Sequence, residues 1–180
     1  ITFQGARLGD EVVASNAILM NFILLISFGL DGIANGAEAM VGEAKGANNN
    51  KRLKTIVDTS LFWTFLFAIC YSVFFALGGQ SFIHLISNIP EVNTLASTYL
   101  PWIIVLPLLA CWCYLYDGIY VGLMRADIMR NSMIISTFGC FFPAWYFLQS
   151  FGNHAIWAAF SLFMVVRGVS LGWHFHKKVM

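Results

Sequence analysis

The sequence predicts an all-α membrane protein, a polytopic bundle of transmembrane helices with five full spans. Composition is the first ground. Of 180 residues, 59% are hydrophobic and 11% charged, against about 45–50% and about 25% in a soluble domain. The second is the spacing of the charges, which leaves residues 12–30, 59–90, 92–116 and 131–166 without any. A helix needs about 20 apolar residues to cross a hydrocarbon core of about 30 Å. The third is the placement of the cations, taken up below. Helix is the required form of each span, because the open edge of a sheet has no hydrogen-bond partners in lipid.

The elements follow in chain order. The opening Ile1-Thr2-Phe3 has neither an initiator Met nor a basic start, so residues 1–9 are expected to be the tail of a preceding helix and the chain a fragment. The first full span runs over about 11–44, with Asp10 as its expected N-cap and the run Gly46-Ala47-Asn48-Asn49-Asn50 closing it. The second covers about 55–79 and is expected to stop at Gly78-Gly79, leaving 81–87 as a short interfacial stretch. The third, about 92–124, has Pro90 in its first turn. The fourth, about 129–150, is capped by Asp127. The turn Gly152-Asn153-His154 separates it from the fifth, about 154–176. Pro101, Pro107 and Pro143 fall inside spans, where each removes a backbone donor and kinks its helix.

Strict alternation of five spans puts Lys45, Lys51, Arg52, Lys54, Arg125, Arg130, Arg167, Lys177 and Lys178 on one side and leaves only Arg7 on the other. The positive-inside rule makes the crowded side cytoplasmic, with the C-terminus there. One span more or fewer would scatter the cations, so the charge pattern checks the span count.

Several functions lack support. A net charge of +1 implies no nucleic-acid partner. Cys70, Cys111, Cys113 and Cys140 lie in apolar runs and read as small packing residues. Four scattered histidines show no metal-ligand spacing; His174 and His176, beside Lys177 and Lys178, read as a snorkelling cytoplasmic edge. There is no phosphate-binding loop of the Gly-x-x-x-x-Gly-Lys type and no nucleophile–base spacing. Neither a cofactor nor a metal is expected. Trp63, Trp102, Trp145, Trp157 and Trp173 are expected in the aromatic belts at the lipid interfaces.

Two motifs stand out. The first full span ends Asp31-Gly32-Ile33-Ala34-Asn35-Gly36-Ala37-Glu38, then Gly42-Glu43-Ala44-Lys45-Gly46-Ala47. The third ends Asp117-Gly118-Ile119-Tyr120-Val121-Gly122-Leu123-Met124-Arg125. These resemble the MATE (multidrug and toxic compound extrusion) transporters, at the second helix of a lobe and at the join of the tenth and eleventh helices. The wording around Asp31 and Glu38 is nearest to the DNA-damage-inducible branch. Glu43 stands where Gln is usual in the family, and no role is assigned to it. The resemblance implies that the five spans are helices 8–12 of a twelve-helix transporter in a bacterial inner membrane. It also implies an N-terminal lobe as partner, and drugs or organic cations exchanged for H⁺ or Na⁺.

The candidate site residues are the polar groups inside spans. A carboxylate within a span costs about 2.5–3.5 kcal/mol on insertion scales and marks an ion path. Asp117 is such a group, and Tyr114, Asp117 and Tyr120 follow at intervals of three, which predicts one helix face presenting a carboxylate and two phenols to a cation. The family resemblance implies a cation-coupling role for Asp117, although Cys113 replaces the Tyr that some members carry there. The structural alternative is that Asp117 caps the helix or pairs with Arg125. Asp31, Asn35 and Glu38 form a second stripe at i, i+4 and i+7, suited to relaying protons or holding a cationic substrate. Its alternative is a position at the inner interface. Gly32/Gly36, Gly42/Gly46 and Gly118/Gly122 each read Gly-x-x-x-Gly and predict close helix packing.

The leading reading is one lobe of a secondary antiporter. A lipid-linked saccharide flippase of the same superfamily is the alternative; it calls for a basic cleft, whereas Arg167 is the one basic residue inside a span. A structural membrane subunit and an intramembrane enzyme are the remaining readings.

Overall fold

The computed structural model describes residues 9–178. The expected tail of a preceding helix lies outside this range except for Gly9, as does Arg7. Six α-helices follow one another. Helix α1 is Asp10–Gly46, α2 is Asn50–Ile86, α3 is Pro90–Gly122, α4 is Ala126–Ser136, α5 is Phe142–Phe147 and α6 is Asn153–Lys178. A π-helical turn, Thr137–Phe141, joins α4 to α5, and a 3₁₀ turn, Gln149–Phe151, follows α5. The all-helical membrane architecture is as the composition requires: α1, α2, α3 and α6 are each long and apolar enough to cross a membrane.

The helix ends have local causes. Gly9, at φ 118°, is the N-cap of α1, not Asp10; Asp10 and Glu11 instead lie in the first turn, where acidic groups oppose the helix dipole. Asn48, at φ 51°, makes the turn after α1, a conformation Asn tolerates well. The Asn49 side chain then accepts from the Arg52 N–H at 2.9 Å and caps α2. Pro90 opens α3 in the first-turn position, where no donor is lost. Asp127 does not cap α4. Arg125 is the N-cap, and its guanidinium donates to Asp127 at 3.1 Å, holding that carboxyl below the usual carboxylate range.

Two expected boundaries are corrected. Helix α2 does not stop at Gly78-Gly79 but runs to Ile86, so 81–87 is mostly its last turns. Gly79 is buried against Leu100 of α3, where an added Cβ would stand 2.8 Å from that side chain. Gly79 serves a close helix approach, whereas a Cβ on Gly78 would meet only Phe82 of the same helix. The fourth expected span is not one helix. Pro143 lacks the N–H that would reach back to Gly139, and the chain widens into a π turn just before it, with the Phe142 N–H bonded to the Thr137 carbonyl. Pro101 and Pro107, by contrast, sit inside an unbroken α3. Ser72 of α2 donates to the Ile104 carbonyl at 2.6 Å, clamping the turn that Pro107 weakens.

Helix α3 is the hub, packing against α1, α2 and α6, while α4 and α5 lie on α6. One buried cluster joins Leu19, Ile26 and Leu30 to Phe75, Ile103 and Trp157. A second joins Val41 and Ala44 to Val57, Ile119, Leu171 and Phe175. Trp157 is therefore a core residue, fully buried, and not part of an interfacial belt. Its indole N–H donates to Asn16 at 3.1 Å, and Asn16 and Asn153 exchange two amide hydrogen bonds at 2.8 and 2.9 Å, tying α1 to α6.

Close packing is uneven among the glycines. A Cβ on Gly118 or Gly122 would stand 2.5 Å from the carbonyl oxygen of Ala34 or Glu38, so α3 lies directly on the backbone of α1 there. Gly42 faces Gly122 at ordinary contact distance. Gly32, Gly36 and Gly46 have nothing within 4 Å and do not make the expected close packing among the described residues. Without a hydrophobic drive between helices in lipid, such backbone contact is a main source of cohesion. The outer surface is apolar: Phe28 is 72% and Leu77 85% exposed.

Candidate functional site

Asp117 lies in the C-terminal half of α3, between the cluster around Ile119 and a smaller one of Ala110, Cys113 and Met164. Its Oδ2 receives the Arg167 guanidinium of α6 at 2.8 Å, with side chains 21% and 14% exposed. The Cys113 thiol, one turn earlier, is 3.9 Å from the same oxygen. The expected structural partner, Arg125, is not used; it pairs with Asp127 at the surface. Intramembrane charges pair because each alone is costly in hydrocarbon, and here α3 and α6 supply the two partners.

The pairing is incomplete. A guanidinium and a carboxylate can meet through two parallel hydrogen bonds. Here Asp117 Oδ1 and Arg167 Nε are both buried and without a hydrogen-bond partner among the described residues. Each such atom costs desolvation that is not recovered. A staple shaped for stability alone would use both contacts.

The three-residue spacing on α3 does not assemble the expected cation face. Tyr114 turns to α1, its hydroxyl 2.6 Å from Ser27 Oγ. Asp117 turns to α6. Tyr120, fully buried, also meets α6 but further along it, where its hydroxyl donates to the Leu171 carbonyl at 3.0 Å and lies 2.9 Å from His174 Nδ1. Two steps of three residues turn a helix by about 120°, enough to send the two phenols to different neighbours. His174 is thereby part of a buried polar contact, whereas His176 is exposed as expected of a solvated edge.

On α1, Ala34, Ala37 and Val41 face the core, leaving Asp31 and Asn35 exposed and Glu38 half-buried. Asp31 is within electrostatic range of both Tyr114 and Asp117. Around Asp117 the structure thus gathers Arg167 of α6, and Tyr114 with Ser27 at the α3–α1 contact, while Asp31 stays exposed on α1. Glu38 stands two turns further along, its carbonyl under Gly122. Glu43 acquires a partner, Arg52, at 2.9 Å across the α1–α2 turn; with side chains 61% and 49% exposed this is a weak surface pair. No cluster of three or more His, Cys, Asp or Glu among the described residues fits a metal ion.

Arg167 and Ser27 were not picked out from the sequence as partners of the site. The signal for Arg167 was present, since a lone basic residue in a span calls for an acidic one nearby. Ser27 carried no such signal.

Comparison with known proteins places this geometry. The MatE family model matches residues 1–147. DNA damage-inducible protein F of Escherichia coli is 38% identical over 178 residues, 98% of this chain and 39% of that protein. Probable multidrug resistance protein YoeA of Bacillus subtilis is 33% identical over 90 residues, 50% of this chain and 19% of the relative. The chain therefore spans well under half the length of these relatives. Among solved structures, the eukaryotic MATE transporter AtDTX14 superposes with a TM-score of 0.85 at 17% identity, over 92% of this chain and 38% of that one. A MOP superfamily transporter from Pyrococcus furiosus, described as having a binding pocket of reverse polarity, gives 0.84 at 16% identity, over 98% of this chain and 40% of that one. The fold is that of these transporters, and the family model takes in most of the sequence: the chain belongs to the MATE family of transporters.

Proposed function

We propose that the protein of which this chain forms part is a secondary efflux antiporter, exporting drugs or organic cations against an inward flow of H⁺ or Na⁺. In this reading the chain supplies most of one lobe, in a bacterial inner membrane with its C-terminus in the cytoplasm. One observation carries the reading: a carboxylate, Asp117, lies inside a membrane-spanning helix paired with Arg167 through one of its two oxygens, with a second carboxylate, Asp31, exposed on α1 and within electrostatic range. A protein that only fills a membrane has no use for charges at that depth, and their cost selects against them. The names of two relatives, a multidrug resistance protein and a DNA damage-inducible protein, accord with export of toxic compounds. The exposed face of α1 bearing Asp31 and Asn35 would border the substrate path.

The flippase alternative calls for a basic cleft. The basic residue inside the lobe, Arg167, is neutralised by Asp117, which favours cations over large anions as cargo.

The test is ethidium uptake into inverted vesicles containing the full-length protein, where export appears as accumulation in the lumen, with a proton gradient and a sodium gradient imposed separately. The expected result is transport under one gradient, lost in Asp117→Asn at equal expression. Absence of drug movement under both gradients would put the flippase reading first.

A further inference from the structure

The Asp117–Arg167 pair has a consequence for the coupling ion. A carboxylate inside a span can be neutralised by a bound metal cation, by a proton, or by a cationic side chain. In this lobe the third is in place, since the guanidinium sits 2.8 Å from Oδ2. A Na⁺ on the same carboxylate would sit beside a fixed positive charge in a low-dielectric setting, where like charges repel strongly. It would also find few oxygens: the Tyr114 hydroxyl is engaged by Ser27, and Cys113 supplies a thiol, a poor ligand for a hard cation. A proton needs no coordination shell and can be carried on Oδ1, which has no hydrogen-bond partner among the described residues.

We propose that Arg167 is a tethered counter-cation of Asp117 that occupies the place of a coupling metal ion, excludes Na⁺ from that carboxylate, and so sets the ion specificity of the lobe. The proposal rests on the reading of Asp117 as a coupling group and adds to it the residue that selects the ion. Arg167 is a positioning and specificity residue; it acts through Asp117. The single contact is what makes it suited to this. A two-bond pairing would lock the carboxylate, whereas one bond lets Asp117 exchange partners as α3 and α6 shift. Asp31 is the other charged group within range of Asp117. It leaves the local sum negative, so the open side remains attractive to cations while the buried carboxylate is closed to metal.

The experiment is thermal unfolding of the purified full-length protein in detergent, titrated with NaCl against choline chloride at constant ionic strength. Wild type is compared with Asp117→Asn, Arg167→Lys, Arg167→Gln and the double variant Asp117→Asn/Arg167→Gln. Binding to the native state raises the melting temperature. Wild type and Arg167→Lys are expected to show no Na⁺ shift that depends on Asp117. Arg167→Gln, whose amide oxygen can join the carboxylate as a ligand, is expected to gain a saturable upward shift that the double variant lacks. A saturable Na⁺ shift in wild type that disappears in Asp117→Asn overturns the proposal, and so does a folded Arg167→Gln that stays blind to Na⁺. Should Arg167→Gln fail to fold, the wild-type and Asp117→Asn pair still decides. The readout is binding, so a failure of drug transport bears on the antiporter reading without touching this one.

Discussion

At the scale of single residues, the site is an exchange between burial and pairing. Removing one member of a buried ion pair leaves an uncompensated charge and costs about 3–5 kcal/mol in soluble proteins, whereas replacing both by neutral groups is often tolerated. Arg167→Gln is therefore expected to lower the melting temperature of the full-length protein markedly, and Asp117→Asn/Arg167→Gln to recover most of the loss. Equal destabilisation by the single and double variants would show that the pair contributes little. Asp117 was legible in the sequence as a polar group to account for, because a carboxylate ending an apolar run is costly in lipid unless it is paired or solvated. Its partner was not, because the α3–α6 contact is set by packing across the bundle. The Tyr114–Asp117–Tyr120 face failed for a simpler reason. Spacing by three puts neighbours together, but the outer two diverge with each turn, and in a crowded bundle they meet different helices.

At the scale of helices, the join of α1 to α3 is the most constrained contact. Gly118→Val and Gly122→Val would drive a side chain into the α1 backbone, at a cost at or above the roughly 1–3 kcal/mol of ordinary overpacking. Both are expected to abolish a monodisperse peak in size-exclusion chromatography, while Gly32→Ala and Gly36→Ala preserve it. Normal behaviour of Gly122→Val would mean that the two helices part more readily than the 2.5 Å from an added Cβ to the Glu38 carbonyl oxygen implies. The same Gly-x-x-x-Gly spacing thus has two outcomes, depending on which face the neighbouring helix takes, and the sequence alone does not say which. Span positions were legible from charge-free runs. The continuation of α2 through Gly78-Gly79 was not, because glycine ends helices in water more readily than in lipid. The π turn before Pro143 is the local answer to a proline whose position was plain and whose effect on the backbone was not.

At the scale of the molecule, the chain is a helical lobe with a polar contact between α3 and α6 and large apolar side chains on its surface. The proposed orientation rests on the cations gathered at one end of the bundle. A green fluorescent protein fused to the C-terminus is expected to fluoresce and an alkaline phosphatase fusion there to be inactive, and the reverse pattern would invert the topology. The family was legible from two motifs at the ends of α1 and α3, which are also where α3 meets the α1 backbone. The central claim is that the Asp117–Arg167 pair serves transport and is more than a staple. The most direct measurement is ethidium efflux by Asp117→Asn/Arg167→Gln, compared with wild type at equal amounts of folded full-length protein. This variant removes both charges and leaves no orphan. Efflux falling to background with the fold intact is the predicted result, and efflux at the wild-type rate would contradict the claim.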